Sequence, residues 1–305
     1  MGRDENKAVF QDTEKMCMKN ETLVMAIKNS TKNQSVIPER EEIPGLSAGN
    51  KYNEPAKLVV SKKRSFEAAA QYKDMKTCVH NFASASNPGG GVVNGASAQE
   101  EALCRISTLY FCLTDYRCMQ GFYYPHRNAH DPIHNDDCIY TPDVIVFKTD
   151  TANPLAMNEN DWYKVDVITC AAPNLREQPS NRYNTGDGDV RVFVDNERLY
   201  EIHYKKMLRI LDIVKAKGAE AVILGAFGCG AFRNDPEVVA KAMKAAIEER
   251  KYDFRLIELA IYCTPADERN FNTFSRIFRI IINTAEKGEG YAYHFCKTRR
   301  TGLCQ

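Results

Sequence analysis

Along residues 4–30 the apolar side chains of Val9, Met16, Leu23 and Ile27 return to roughly one helical face and charged residues fill the rest, so the spacing predicts an amphipathic helix. The period is lost over residues 31–56, where Pro38, Pro44, Gly45, Gly49 and Pro55 predict a connecting loop. The helix is therefore expected to be an accessory packed on the main body. From residue 57 short apolar runs alternate with longer amphipathic ones. Strands are predicted at 57–61, 77–82, 144–148, 165–170, 220–224 and 255–263, and helices at 65–72, 98–113, 190–217, 236–250 and 268–278. Strands separated by helices imply parallel pairing, helices on both sheet faces, and a ligand site beyond the carboxyl ends of the strands. Residues 287–305 carry no clear period and are expected to form a tail.

Composition narrows the class. The 305 residues hold 41 Lys and Arg against 40 Asp and Glu, a net charge of +1, and this balance argues against a domain that grips nucleic acid by bulk charge. No apolar run approaches the ~20 residues that span a bilayer. The start of the chain, MGRDENKAVF, has no apolar stretch behind its charges, and Gly2 lacks the Ser or Thr at position 6 of a myristoylation pattern. The cysteine count is odd, at 11, and Cys78, Cys170 and Cys263 sit in apolar runs, which points to reduced, buried thiols and a cytoplasmic location, with a nuclear one left open.

Two glycine-rich loops follow predicted strands. One is Asn87-Pro88-Gly89-Gly90-Gly91; the other runs from Gly225 to Phe232 (GAFGCGAF). Glycine lets a backbone approach a ligand closely, and a helix N-terminus beyond each loop adds positive potential, so phosphate is the expected guest. Two tight turns needing positive φ would account for the same glycines. Neither loop has the Lys-Ser/Thr ending of a P-loop or the G-x-G-x-x-G order of a dinucleotide site. After the first loop stands Gln99-Glu100-Glu101. A capping box with Ser97 as N-cap and Glu100 reaching back accounts for one acid, and a surface pair with Arg105 would account for the other. Against this, adjacent carboxylates beside a phosphate loop suit glycosidic chemistry, in which a leaving oxygen is protonated as positive charge builds on the sugar. Mutual repulsion would help one of the two stay protonated.

The run Asn81 to Gly91 (NFASASNPGGG), seven further residues and then Gln99-Glu100-Glu101 resembles the GGG-x(6–8)-QEE signature of the microbial-type poly(ADP-ribose) glycohydrolases. The resemblance continues through Asp137–Val144 (DCIYTPDV), Ala171–Asn174 (AAPN) and Gly225–Pro236 (GAFGCGAFRNDP), and covers roughly residues 57–280. It implies a three-layer α/β/α macrodomain with a mixed, mostly parallel sheet over 57–286, preceded by an N-terminal helical extension and linker at 1–56. It implies hydrolysis of ribose–ribose O-glycosidic bonds in poly(ADP-ribose), releasing ADP-ribose without a cofactor or metal. By position, Glu101 would be the general acid, Glu100 would hold ribose hydroxyls, and Gln99 would be among the residues that bind substrate. Asn87 would bond the distal ribose, and Gly89, Gly90 and Gly91 would shape the loop. Gly228, Cys229, Gly230, Ala231 and Phe232 would lie along the diphosphate. Phe227 stands where a bulkier aromatic is expected, a difference of packing.

Other signals rank lower. His126, His130, His134 and Cys138 recur every four residues, as helical metal ligands would, but Pro125, Pro132 and the surrounding Asn and Asp predict a loop instead. His203 reads as a surface or packing residue, and Trp162, Phe122, Tyr123 and Tyr124 as core or cleft wall. The run Lys62-Lys63-Arg64 reads as a solvated turn. Three functions stay open: glycohydrolase on the polymer, hydrolase of single ADP-ribose groups on protein or nucleic acid, and a reader without catalysis. The partner is in each case poly(ADP-ribose) or an ADP-ribosylated macromolecule, with no membrane and no dedicated nucleic-acid site. The residue that recognises adenine cannot be named from the sequence.

Overall fold

A computed structural model describes residues 2–180 and 186–278, so the expected tail at 287–305 lies outside the described residues. Strands β1 (Ser35–Ile37), β2 (Lys57–Ser61), β3 (Thr77–Phe82), β4 (Cys138–Val146), β5 (Tyr163–Cys170), β6 (Ala221–Leu224) and β7 (Leu256–Ala260) form one sheet in the order β1-β4-β5-β3-β6-β7-β2. The five strands from β5 to β2 run parallel, whereas β4 lies antiparallel to β5 and β1 antiparallel to β4. The helices are α1 (Arg3–Lys19), α2 (Glu21–Asn33), α3 (Ser65–Ala69), α4 (Gln99–Ile106), α5 (Leu109–Leu113), α6 (Tyr116–Cys118), α7 (Tyr124–Ala129), α8 (Asn196–Ala216), α9 (Pro236–Arg250) and α10 (Arg269–Ile277). No helix of the described residues is long and apolar enough to cross a membrane.

The parallel strands are buried on both faces, which is why they read as continuous apolar runs. Along β3 and β6, Cys78, Val222 and Leu224 enter one core with residues of α8, α9 and α10, while Val79 and Ile223 enter a second with residues of α1, α3, α4 and α5. Helices thus cover both faces and make three layers.

Four expectations shift. The helix at 4–30 is two helices, because Asn20 takes an extended backbone and its side chain accepts the Leu23 N–H at 3.1 Å, capping α2. The loop at 31–56 contains β1, which pairs Val36 with Ile139 and adds an edge strand. The helix at 98–113 breaks at Ser107, whose Oγ donates to the Leu103 carbonyl at 2.8 Å and accepts from the Leu109 N–H at 3.2 Å. The strand expected at 144–148 begins instead at Cys138 and carries Pro142 inside it. The register slips between Thr141 and Val144, with Asp143 at φ 54°, so a bulge absorbs the proline that a regular ladder would refuse.

The N-terminal helices are joined to the body by real packing. The Phe10 ring is buried and meets Tyr110 edge-on at 5.0 Å between centroids. The Asn6 amide donates to the Gly95 carbonyl at 3.1 Å. Gly95 has φ 74°, and a Cβ there would run into the Arg3 carbonyl. Truncating Phe10→Ala should cost about 3–5 kcal/mol; urea unfolding followed by circular dichroism measures it, and a loss below ~1 kcal/mol would mean that α1 contributes little to the body.

Candidate active site

The carboxyl ends of β3, β6 and β7 open on a cleft of about 920 Å³ whose wall includes Asn87, Gly90, Gly91, Gln99, Glu100, Glu101, Gly228, Gly230, Ala231 and Phe232. The two glycine loops and the acidic turn, scattered in the sequence, therefore meet here. Two expected contributors do not face it. Cys229 packs its side chain against the core, and burial pushes its thiol well up. A Cβ on Gly89 would sit 2.7 Å from Tyr110, so this glycine backs on to helix packing.

The amides of the first loop are already engaged within the protein, those of Gly89 and Gly91 by its own acids and that of Gly90 by the Asn87 carbonyl. Glu100 accepts the Ser84 N–H at 2.7 Å and the Asn81 amide at 3.3 Å, with the Gly89 N–H also directed at it. Glu101 accepts the Gly91 N–H at 2.8 Å. Gly90 has φ 57°, and a Cβ there would stand 2.5 Å from the Glu101 carboxyl, so close approach of backbone to carboxyl requires glycine. The capping reading is off by one residue. Ala98 is the N-cap of α4, Ser97 makes no cap, and it is Glu101, three positions on, that takes a backbone bond from Ala98. Glu100 points back to the end of β3. Arg105 is buried and donates to the Ala96 carbonyl at 2.9 Å, so the expected surface pair gives way to a loop clamp.

Burial is the largest influence on both acids and pushes both above the usual carboxyl range; for Glu100 the charge of Glu101 adds to it. The donated amide hydrogen bonds pull the other way. Glu101 keeps 8% of its surface and Glu100 only 3%, so Glu101 is the more open to the cleft. Gln99 positions the pair: its carbonyl oxygen accepts the Phe82 N–H at 2.9 Å, and its amide donates to His80 O at 2.8 Å and Ser65 Oγ at 3.0 Å.

The second loop is different. The N–H groups of Gly230, Ala231 and Phe232 have no acceptor among the described residues, and Gly228 turns the chain at φ 75°. Such a row of free amides suits an anion. The helix beyond adds less than expected, because Asp235 already caps α9, accepting the N–H groups of Glu237 at 2.8 Å and Val238 at 3.1 Å. Phe227 is fully buried, 4.4 Å from the His80 ring, and belongs to the core.

Several residues in or behind the cleft wall carried no signal in the sequence. Arg127, on α7 where a loop was expected, donates to Ser86 O at 2.7 Å and Asn87 Oδ1 at 3.1 Å, and so orients Asn87. Arg176 stands beside the Phe232 ring, 5.9 Å from its centroid. Arg3 and Asn6 bring α1 to the wall. Tyr262, just past β7, is 48% exposed and has the Arg64 guanidinium 3.7 Å from its ring centroid. The histidine series does not converge: the rings of His126 and His134 are 6.1 Å apart, and their Nδ1 atoms lie 2.7 Å from the carbonyls of Phe122 and Ala172. Among the described residues no set of three or more His, Cys, Asp or Glu gathers as metal ligands.

A family model for the catalytic domain of microbial-type PARG matches residues 4–149. Over this stretch the chain is similar to the microbial-type PARG family. The match begins in α1 and takes in the glycine loop and the acidic turn. The poly(ADP-ribose) glycohydrolase (PARG) of Thermomonospora curvata is 26% identical, with a TM-score of 0.76 over 90% of this chain and 100% of that one. The same enzyme bound to the inhibitor ADP-HPD is also 26% identical, with a TM-score of 0.73 over 90% and 99%. PARG of Deinococcus radiodurans in complex with ADP-ribose is 26% identical, with a TM-score of 0.69 over 83% and 96%. Among curated proteins none matches the chain.

The raised acids have a thermodynamic signature. A carboxyl whose folded pKa lies above its unfolded value of 4.5 contributes stability that is fully present below 4.5 and is lost as pH rises through the folded value. Glu100→Gln removes that loss. Its melting temperature relative to the parent should climb between pH 4.5 and 8, and a difference that stays flat across this range would place Glu100 in water.

Proposed function

We propose that the protein hydrolyses ribose–ribose O-glycosidic bonds of poly(ADP-ribose), with Glu101 as general acid and then general base. The observation that carries this reading is the pair of buried carboxyls, raised by desolvation and held by glycine-loop amides at the edge of a cleft whose other wall is a row of N–H groups without acceptors among the described residues. A reader of ADP-ribose needs the amides but has no use for a buried acid, and keeping two carboxyls out of water is costly.

Protonated Glu101 would give its proton to the departing ribose oxygen as the bond to the anomeric carbon breaks and positive charge spreads over the ring. The carboxylate left behind would then take a proton from the attacking water. Glu100, beside it, would accept hydroxyls of the same ribose, and Asn87, steadied by Arg127, would fix that ribose from the other side. The amides of 230–232, with Arg176 nearby, would take the diphosphate. Strand order supports this placement: the acids stand at the end of β3, the free amides at β6, and the exposed Tyr262 at β7, in sequence across neighbouring strands about 5 Å apart. A ribose, a diphosphate and a base follow one another in the same order in ADP-ribose. The base would then stack at Tyr262 and Arg64.

Glu101→Gln keeps shape and hydrogen bonding but has no proton to give. It should lower release of ADP-ribose from auto-modified polymer by roughly 10²–10⁴-fold, while ADP-ribose binding by calorimetry stays within a few-fold of the parent. Polymer turned over at the parental rate would remove Glu101 from this role. Running mono-modified proteins in parallel separates the polymer from single ADP-ribose groups as substrate. Tyr262→Ala should raise KM about tenfold, in line with the loss of one stacked base, and leave kcat in place; an unchanged KM would put the base elsewhere.

A further inference from the structure

We infer that His203 is a positioning residue for the anion loop: it fixes the Asn234 side chain, which holds the two ends of the loop so that its N–H groups face the cleft. The inference rests on the proposed function and assigns a part to a histidine that no step of the reaction touches.

Asn234 lies immediately after the loop and is buried. Its Nδ2 stands 2.7 Å from Pro173 O, 3.1 Å from Gly228 O and 3.2 Å from Phe232 O. All three neighbours are carbonyls, which only accept, so the amide orientation is fixed: Nδ2 faces the loop and Oδ1 faces away. Gly228 and Phe232 bracket the row of free amides. Gly228 O also takes the Asn234 backbone N–H at 3.1 Å, and Phe232 O takes that of Leu175 at 2.9 Å. With these carbonyls drawn inward, the N–H groups of Gly230, Ala231 and Phe232 are left without acceptors among the described residues. Gly228 has no room to adjust, since a Cβ on it would meet Nδ2 at 2.8 Å.

The outward Oδ1 needs a donor, and His203 Nε2 lies 2.8 Å from it. The proton must therefore sit on Nε2, which leaves Nδ1 bare; that atom is buried with no hydrogen-bond partner among the described residues. Burial also holds the ring neutral, with its pKa lowered to about 4, so this tautomer persists across the neutral range. His203 sits on α8, and its ring is edge-on to Phe227 at 5.6 Å, wedged where it cannot swing away. Of the surface and packing roles open to this histidine in the sequence, the structure takes the buried one; its part is to transmit the position of α8 to Asn234, 31 residues further along.

The test compares two variants by calorimetry with ADP-ribose and by steady-state kinetics on polymer. His203→Leu removes the donor and should weaken ADP-ribose binding about tenfold, the scale of a buried acceptor left unpaired. KM should rise with it while kcat stays within about twofold, because the Glu100 and Glu101 cradle hangs on β3 and α4. His203→Gln can still donate to Oδ1 and should recover binding to within about threefold of the parent. Equal binding by His203→Leu and the parent would overturn the inference, as would His203→Gln failing as badly as His203→Leu at matched melting temperature. If His203→Leu does not fold, the glutamine variant alone decides: weakening of tenfold or more in a folded protein sinks the inference. A parent that binds no ADP-ribose would overturn both this inference and the proposed function beneath it.

Discussion

Two carboxyl groups kept out of water by a backbone that folds around them set the terms for the rest of this molecule. Desolvation of adjacent acids is unfavourable, and the chain meets it with the amides of Ser84, Gly89 and Gly91 and the side chain of Asn81. That cradle forms only if the chain can pass within contact distance of the acids, which Gly90 allows at positive φ. It also requires α4 to begin at a fixed distance from β3, and Gln99 ensures this by bonding both to the end of that strand and to α3. The balance leaves the acids closer to neutral than free carboxyls but not without partners, the condition a general acid needs near neutral pH.

The two glycine loops look alike in composition and do opposite things. The first directs the amides of Gly89 and Gly91 inward to the protein's own negative groups; the second leaves those of residues 230–232 without an acceptor among the described residues and turns the carbonyls of Gly228 and Phe232 inward. The difference arises from what stands behind each loop. Behind the first is the start of α4, carrying Glu100 and Glu101. Behind the second is Asn234, a donor that draws carbonyls towards itself, while Asp235 next to it satisfies the start of α9. A guest anion on this side would meet loop amides rather than a bare helix end.

The sheet explains why these parts can act together. Parallel strands deliver their carboxyl ends to one edge, so groups far apart in the chain arrive side by side. The antiparallel pair β1 and β4 closes the other flank, and with β1 come α1 and α2, whose first residues reach the cleft wall near Gly95. The N-terminal segment is therefore part of the surface that a substrate would meet.

Much of this was legible in the order of the residues. Apolar period gave the parallel strands and most helices, because a strand buried on both faces and an amphipathic helix leave distinct repeats. The glycine clusters and the Gln99-Glu100-Glu101 turn announced themselves because such loops and acids are local features, dictated by backbone freedom and short-range capping. Interruptions were harder: the break at Asn20, the strand running through Pro142 and the one-residue shift of the α4 cap each depend on a partner outside the window. The participation of Arg127, Arg176, Tyr262, Arg3 and His203 had no local trace at all. Each acts through a contact tens of residues or more away in the chain, and the spacing of side chains along a sequence holds no information about such a contact until the sheet has ordered its strands and brought the two ends together.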